Sequence, residues 1–178
     1  MGHSPELLTK IICKINKDNV STSTEMGELR RAGDYVTFVN SDKMRNENAV
    51  ELSDYIFDLL KPQGVWVFDA HPAAIYKGDI GLKIITSSSF DNHSLSDLCV
   101  TLEPSNFITG IAAAMITLCE VSNLPCATII AVDESHGANE DTIFLFDPIR
   151  ELLGWRSVSY FKALSAIEGK RNITSIYS

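Results

Sequence analysis

Residues 107–132 read FITGIAAAMITLCEVSNLPCATIIAV, and their pattern decides the fold. From Phe107 to Val121 the chain is apolar nearly all round, with three consecutive alanines at Ala112, Ala113 and Ala114. A helix without a polar face is buried among other elements. Pro104-Ser105-Asn106 supplies starting chemistry, since Ser and Asn side chains accept from the free N–H groups of a first helical turn. Asn123-Leu124-Pro125 breaks the helix, because proline lacks the next N–H. CATIIAV, residues 126–132, is then a near-continuous apolar run ending at Asp133, as expected of a strand covered on both faces. Helix, short turn and buried strand make half of a crossover between parallel strands.

Four more short runs read as strands on either side of turn residues: LLTKIICKI (7–15), YVTFV (35–39), VWVF (65–68) and LKIIT (82–86). Residues 99–102 add a short fifth. In 46–61, Val50, Tyr55, Phe57, Leu59 and Leu60 alternate with Glu51, Asp54 and Asp58 at helical spacing, and Lys61-Pro62-Gln63-Gly64 ends the helix. Residues 20–33, rich in Ser, Thr, Glu and Arg, read as surface loop or frayed helix, and 87–96 as a Ser-rich loop. Residues 142–153 resume helical spacing, with Pro148 as a kink or restart and Gly154 as a stop; 158–167 form a last short helix. The final GKRNITSIYS is too polar and short to pack alone. The expectation is an α/β protein: a single layered domain over residues 1–168, a mostly parallel β-sheet flanked by helices, and a flexible C-terminal tail at 169–178.

Composition narrows the function. With 23 acidic and 15 basic residues the net charge is −8, and no Lys/Arg stripe is interleaved with aromatics. Nucleic-acid binding, which needs phosphates neutralised, is not expected. The apolar run 108–118 is too short to cross a bilayer, and no apolar core follows a basic start in the first ten residues, so neither membrane nor secretion is expected. The glycosylation sequons at Asn19, Asn92 and Asn172 are then chance matches. Cys13, Cys99, Cys119 and Cys126 form no C-x-x-C pair. They read as buried reduced thiols in a reducing compartment, with neither metal nor cofactor expected.

No nucleophile elbow, Gly-rich phosphate loop or H-E-x-x-H occurs. The one charged cluster with an imidazole, Asp69-Ala70-His71-Pro72, directly follows VWVF; Asp133, Glu134 and His136 follow CATIIAV in the same way. Ligands of α/β sheets bind beyond strand C-terminal ends. Asp69, His71, Asp133 and His136 are therefore candidates for a metal site or acid/base pair. They support an alternative reading, a hydrolase or nucleoside-phosphorylase-like enzyme using Asp69, His71 and Asp133. The plainer reading is that strand-end Asp and His residues cap turns. Ser87-Ser88-Ser89, an anion-cradle candidate, is more simply a loop.

The last residues are Ile176-Tyr177-Ser178. Leu102-Glu103-Pro104-Ser105-Asn106, Ala112-Ala113, Cys119 and Leu124-Pro125 before a buried strand resemble the C-terminal half of the proteasome assembly chaperone 1 family. The element order also matches, and the resemblance spans residues 102–178. It implies an α/β fold without an active site. It also implies a cytoplasmic and nuclear protein that pairs with proteasome assembly chaperone 2 as a heterodimer, binds the α ring of the core particle and promotes its assembly. By the same resemblance the chain is expected to be shorter than the animal members and without their charged N-terminal extension. The three final residues match the HbYX pattern (hydrophobic residue, tyrosine, any last residue) with which proteasome activators and chaperones enter pockets between α subunits. By this resemblance Ile176 fills an apolar pocket, Tyr177 packs its ring with the hydroxyl at the pocket mouth, and the Ser178 carboxylate pairs with a lysine of the ring. Premature docking of activators is blocked in the same way.

Burying the Ile and Tyr side chains contributes about 1.5–3 kcal/mol each. A charge-assisted carboxylate bond adds about 1.5–3 kcal/mol. Ordering the tail costs about 1–2 kcal/mol per residue. The balance falls short of the roughly 8 kcal/mol of micromolar binding, so the globular body and a partner's second tail must contribute.

Overall fold

In a computed structural model, which describes residues 10–15, 23–24, 27–32, 34–40, 48–134 and 145–154, the apolar runs become strands of one sheet. The elements are β1 (Lys10–Lys14), β2 (Ser23–Thr24), β3 (Gly27–Ala32), β4 (Tyr35–Asn40), α1 (Ala49–Leu60), β5 (Gly64–Pro72), β6 (Gly81–Thr86), β7 (Val100–Thr101), α2 (Gly110–Val121), β8 (Cys126–Asp133) and α3 (Asp147–Leu152). Their order across the sheet is β2-β3-β4-β1-β5-β8-β6-β7.

The layered α/β class holds, but the expected mostly parallel sheet is corrected to a mixed one. Only β5–β8 and β6–β7 pair in parallel; the other pairs are antiparallel. Connection length explains this. A parallel return needs a crossover of about a dozen residues or more. β5 reaches β6 through residues 73–80 only, so β6 runs back antiparallel and β8 fills the gap between them. α2 therefore links two oppositely directed strands, β7 and β8, and is not half of a parallel crossover. The true crossover is β4–α1–β5, whose strands both lie antiparallel to β1.

Residues 20–33 are a second correction. They hold β2 and β3, and β3 pairs along its length with β4. Only Gly33 and Asp34 separate β3 from β4, and a Gly-Asp pair between two extended runs is itself a hairpin signal. Strand propensity depends on the neighbour, and pairing with YVTFVN outweighs the polar composition of GELRRA.

β8 lies inside the sheet, every residue from Cys126 to Val132 buried, because both faces are covered. On one face Cys13, Val36, Phe38, Val65, Val67 and Cys126 meet α1 and α2. On the other Phe68, Ile84 and Ile129 meet Leu95, Cys99 and the α3 region, where the Phe68 and Phe146 rings stack edge to face at 5.2 Å. α1 buries Leu52, Ile56 and Leu60 at helical spacing, and Lys61 in the left-handed region closes it. At the end of α2, Asn123 takes φ 54° and the Leu124 N–H bonds the Cys119 carbonyl, a reversal that Pro125 makes final. α2 starts at Gly110, later than Pro104–Asn106, and Thr117 and Val121 are exposed, so it is not buried all round. Pro148 stands in the first turn of α3 as a restart; residues 158–167 and the tail lie outside the described residues.

All four cysteines are buried and free. Burial pushes the Cys99 thiol up to about 11, and raises Cys13 and Cys126 as well; for Cys126 a hydrogen bond with Cys119 is the first cause. At pH 8, Cys99 of the native protein is expected to react with iodoacetamide roughly a hundredfold more slowly than in the unfolded chain, read by mass spectrometry. A folded-state value above the unfolded one adds stability that is complete below about pH 8.5 and lost as pH rises through the folded value. Urea midpoints are thus expected to fall on raising pH from 9 to 11.

Candidate functional site

Two polar groups sit where β5 ends and β6 begins. Asp69 and His71, two apart on β5, share one side of the strand. His71 Nε2 lies 3.4 Å from Asp69 Oδ2, while Asp69 Oδ1 accepts from the Ala70 N–H at 2.9 Å. Both side chains are largely enclosed, at 4% exposure for Asp69 and 14% for His71. The strand register sets Ile130 beside Asp69 and Val132 beside His71, and pairs Asp133 with Pro72. Glu134 is exposed, and His136 lies outside the described residues. The structure therefore brings Asp69 and His71 together, with apolar β8 residues beside them. Among the described residues no group of three or more His, Cys, Asp or Glu is placed to hold a metal ion.

The second group was missed in the sequence. Lys83 on β6 is 2% exposed, and its Nζ donates to Glu103 Oε1 at 2.8 Å. Tyr76 donates its hydroxyl to Glu103 Oε2, and its ring centroid lies 5.5 Å from the same Nζ. Asn106 completes the clamp: its Oδ1 accepts from the Lys77 N–H, and its Nδ2 donates to the Lys77 carbonyl, both at 2.8 Å. The LEPSN segment that carries the family resemblance thus fastens residues 102–106 to the connection between β5 and β6. A signal was present: a lysine inside the apolar strand LKIIT must find a partner if that strand is buried. Ser87-Ser88-Ser89 is likewise structural, since Ser88 bonds Glu120 through both N–H and Oγ, and Ser89 bonds Asn123.

Gly78 belongs to this clamp, with φ +145° and the position of a Cβ only 2.7 Å from Glu103 Oε1. Gly78→Ala is expected to cost about 1–3 kcal/mol, through strain and displacement of the carboxylate, read as a lower urea midpoint. The clamped loops hold Ile75 and Phe107 out in solvent, Phe107 at 83% exposure.

Ile176, Tyr177 and Ser178 lie outside the described residues. No described helix is long and apolar enough to cross a membrane.

The chain has the α/β fold of an archaeal protein. It is similar to PbaA of Pyrococcus furiosus, a homolog of proteasome-assembly chaperone, with a TM-score of 0.61 and 14% identity, covering 89% of this chain and 71% of that one. A monoclinic form of PbaA gives 0.59 and 16%, over 92% and 70%. A protein with unknown function from Thermoplasma acidophilum gives 0.51 and 11%, over 75% and 57%. In sequence the chain is similar to proteasome assembly chaperone 1 of Nematostella vectensis, 21% identical over 131 residues, which make up 70% of this chain and 51% of that protein. It spans about half the length of this curated relative. No family model matches the chain. The resemblance to proteasome assembly chaperones read in the C-terminal half is thus supported by both sequence and fold.

Proposed function

We propose that this chain is a proteasome assembly chaperone that acts by binding and not by catalysis. The observation that carries the reading is the agreement of two comparisons: a chaperone 1 matches 70% of the chain in sequence, and an archaeal chaperone homolog shares its fold. The chaperone pairs with a related α/β subunit, an assembly chaperone 2, and the pair sits on the α ring of core-particle intermediates. Ile176, Tyr177 and Ser178 enter a pocket between α subunits and so hold off activators that use the same pockets. Cytoplasm and nucleus, where proteasomes assemble, are the compartments for this role, and both keep buried thiols reduced. The enzyme alternative has Asp69 and His71 in its favour, but the described residues beside them on β8 are apolar.

The test is capture of α subunits and half-proteasomes by the purified chain, co-expressed with its partner subunit. Capture by the full chain supports the proposal; absence of capture with the partner present sinks it.

A further inference from the structure

α1 and α2 lie side by side on one face of the sheet, and their outer surfaces leave an open groove of about 470 Å³. Its floor is built from small side chains, with Gly110, Ala113, Ala114 and Thr117 from α2 and Ala49 and Ser53 from α1. Two aliphatic residues flank it at unusual exposure: Val50 at 66% and Val121 at 81%. A small-residue floor between helices lets the ridge of a third helix approach closely. Exposed aliphatic groups beside it are what such a ridge would cover.

Charge identifies the occupant. α1 reads AVELSDYIFDLL and α2 reads GIAAAMITLCEV, so neither helix carries Lys, Arg or His. Asp54 lines the groove, and Glu51 and Asp58 stand one turn to either side of it on α1, all three exposed. The nearest cation in sequence, Lys61, is held by Asp58 at 3.1 Å. A second copy of this chain would set these acids against each other across a two-fold axis, which disfavours it. The chain's own continuation leaves α3 at Gly154 on the opposite face of the sheet, where Phe146, Ile149 and Leu153 pack. We propose that the groove docks an amphipathic helix of a partner protein, whose aliphatic ridge enters between α1 and α2 and whose flanking Lys or Arg residues face Glu51, Asp54 and Asp58. This contact needs no part of the tail and stands apart from the α-ring reading.

The experiment places p-benzoylphenylalanine at Thr117 in the full chain and irradiates it with a synthetic amphipathic peptide carrying an aliphatic ridge and Lys/Arg flanks. A second peptide has the same ridge and Glu flanks. Mass spectrometry locates the cross-links. The expected result is at least tenfold higher yield with the basic peptide at low salt, shrinking as salt screens the rim. Glu51→Lys with Asp54→Lys, both on the surface, is expected to remove that preference, and Ala113→Trp, which fills the groove, to abolish labelling with folding checked by circular dichroism. Equal yields for the two peptides would overturn the proposal, as would no labelling of the basic peptide. So would cross-links to residues 155–178 of the same chain, or to a second copy, that the basic peptide does not displace.

Discussion

Removing Ile176, Tyr177 and Ser178 is expected to weaken capture of the α ring by at least tenfold to a hundredfold. The range follows from losing about 1.5–3 kcal/mol for each of two buried side chains and for the carboxylate bond, less about 1–2 kcal/mol for each of the three residues that no longer needs ordering. The net is about 1.5–3 kcal/mol, at about 1.4 kcal/mol per factor of ten. Tyr177→Ala should account for much of the loss, since it removes the largest buried surface and the hydroxyl together. Appending one residue after Ser178 should do nearly as much harm, because the carboxylate proposed to meet a ring lysine then moves away while Ile176 and Tyr177 stay intact. The measurement is the dissociation constant of the chaperone pair for α-ring intermediates, by surface plasmon resonance with full-length, truncated and extended chains. Binding that truncation leaves unchanged would move the anchor to the globular body and leave the three residues without the role proposed for them. Residual binding after truncation is itself expected, because the tail alone falls short of micromolar affinity.

The second large effect concerns stability. Glu103→Ala is expected to cost about 3 kcal/mol, the lower end of the range for removing one partner of a buried pair. Lys83 would remain 2% exposed with its carboxylate gone, and the Tyr76 hydroxyl would lose its acceptor. The lower end applies because Glu103 is 32% exposed, so water screens its side of the pair. Lys83→Met should cost less, since it leaves behind a carboxylate that water can reach. Combining it with Glu103→Ala should recover part of the single-mutant loss, because no unpaired buried charge remains. Urea titration of the two single variants and the double variant gives the coupling. Additive losses would mean that the pair contributes nothing beyond its separate parts.

Much of the fold was legible because its signals are local. α1 announces itself by spacing, α2 by an apolar run of helical length, and both by their stops at Lys61 and Asn123. β8 does so by seven apolar or small residues in a row, which no half-exposed strand would carry. β3 was misread although the Gly33-Asp34 pair was there, because a strand of charged residues announces itself only through its neighbour. Strand direction was misread for another reason: apolar residues on both faces look the same whichever way a strand runs. The length of the 73–80 connection held the missing information, but only once β5 and β6 were known to share a sheet.

The candidate site divides in the same way. Asp69 and His71 are two residues apart, so strand geometry alone puts them on one side of β5. The pairing of Lys83 with Glu103 spans 20 residues, and that of Tyr76 with Glu103 spans 27, and no periodicity carries such a contact. By itself the sequence determined α1, α2 and α3, most of the described strands, the buried thiols and the resemblance to assembly chaperones, since each depends on composition or spacing within one stretch of chain. Only the tertiary structure decided the mixed direction of the sheet, the clamp under LEPSN and the open face between α1 and α2. Each of these arises where distant segments meet, and the energy of such a meeting is written in neither segment alone.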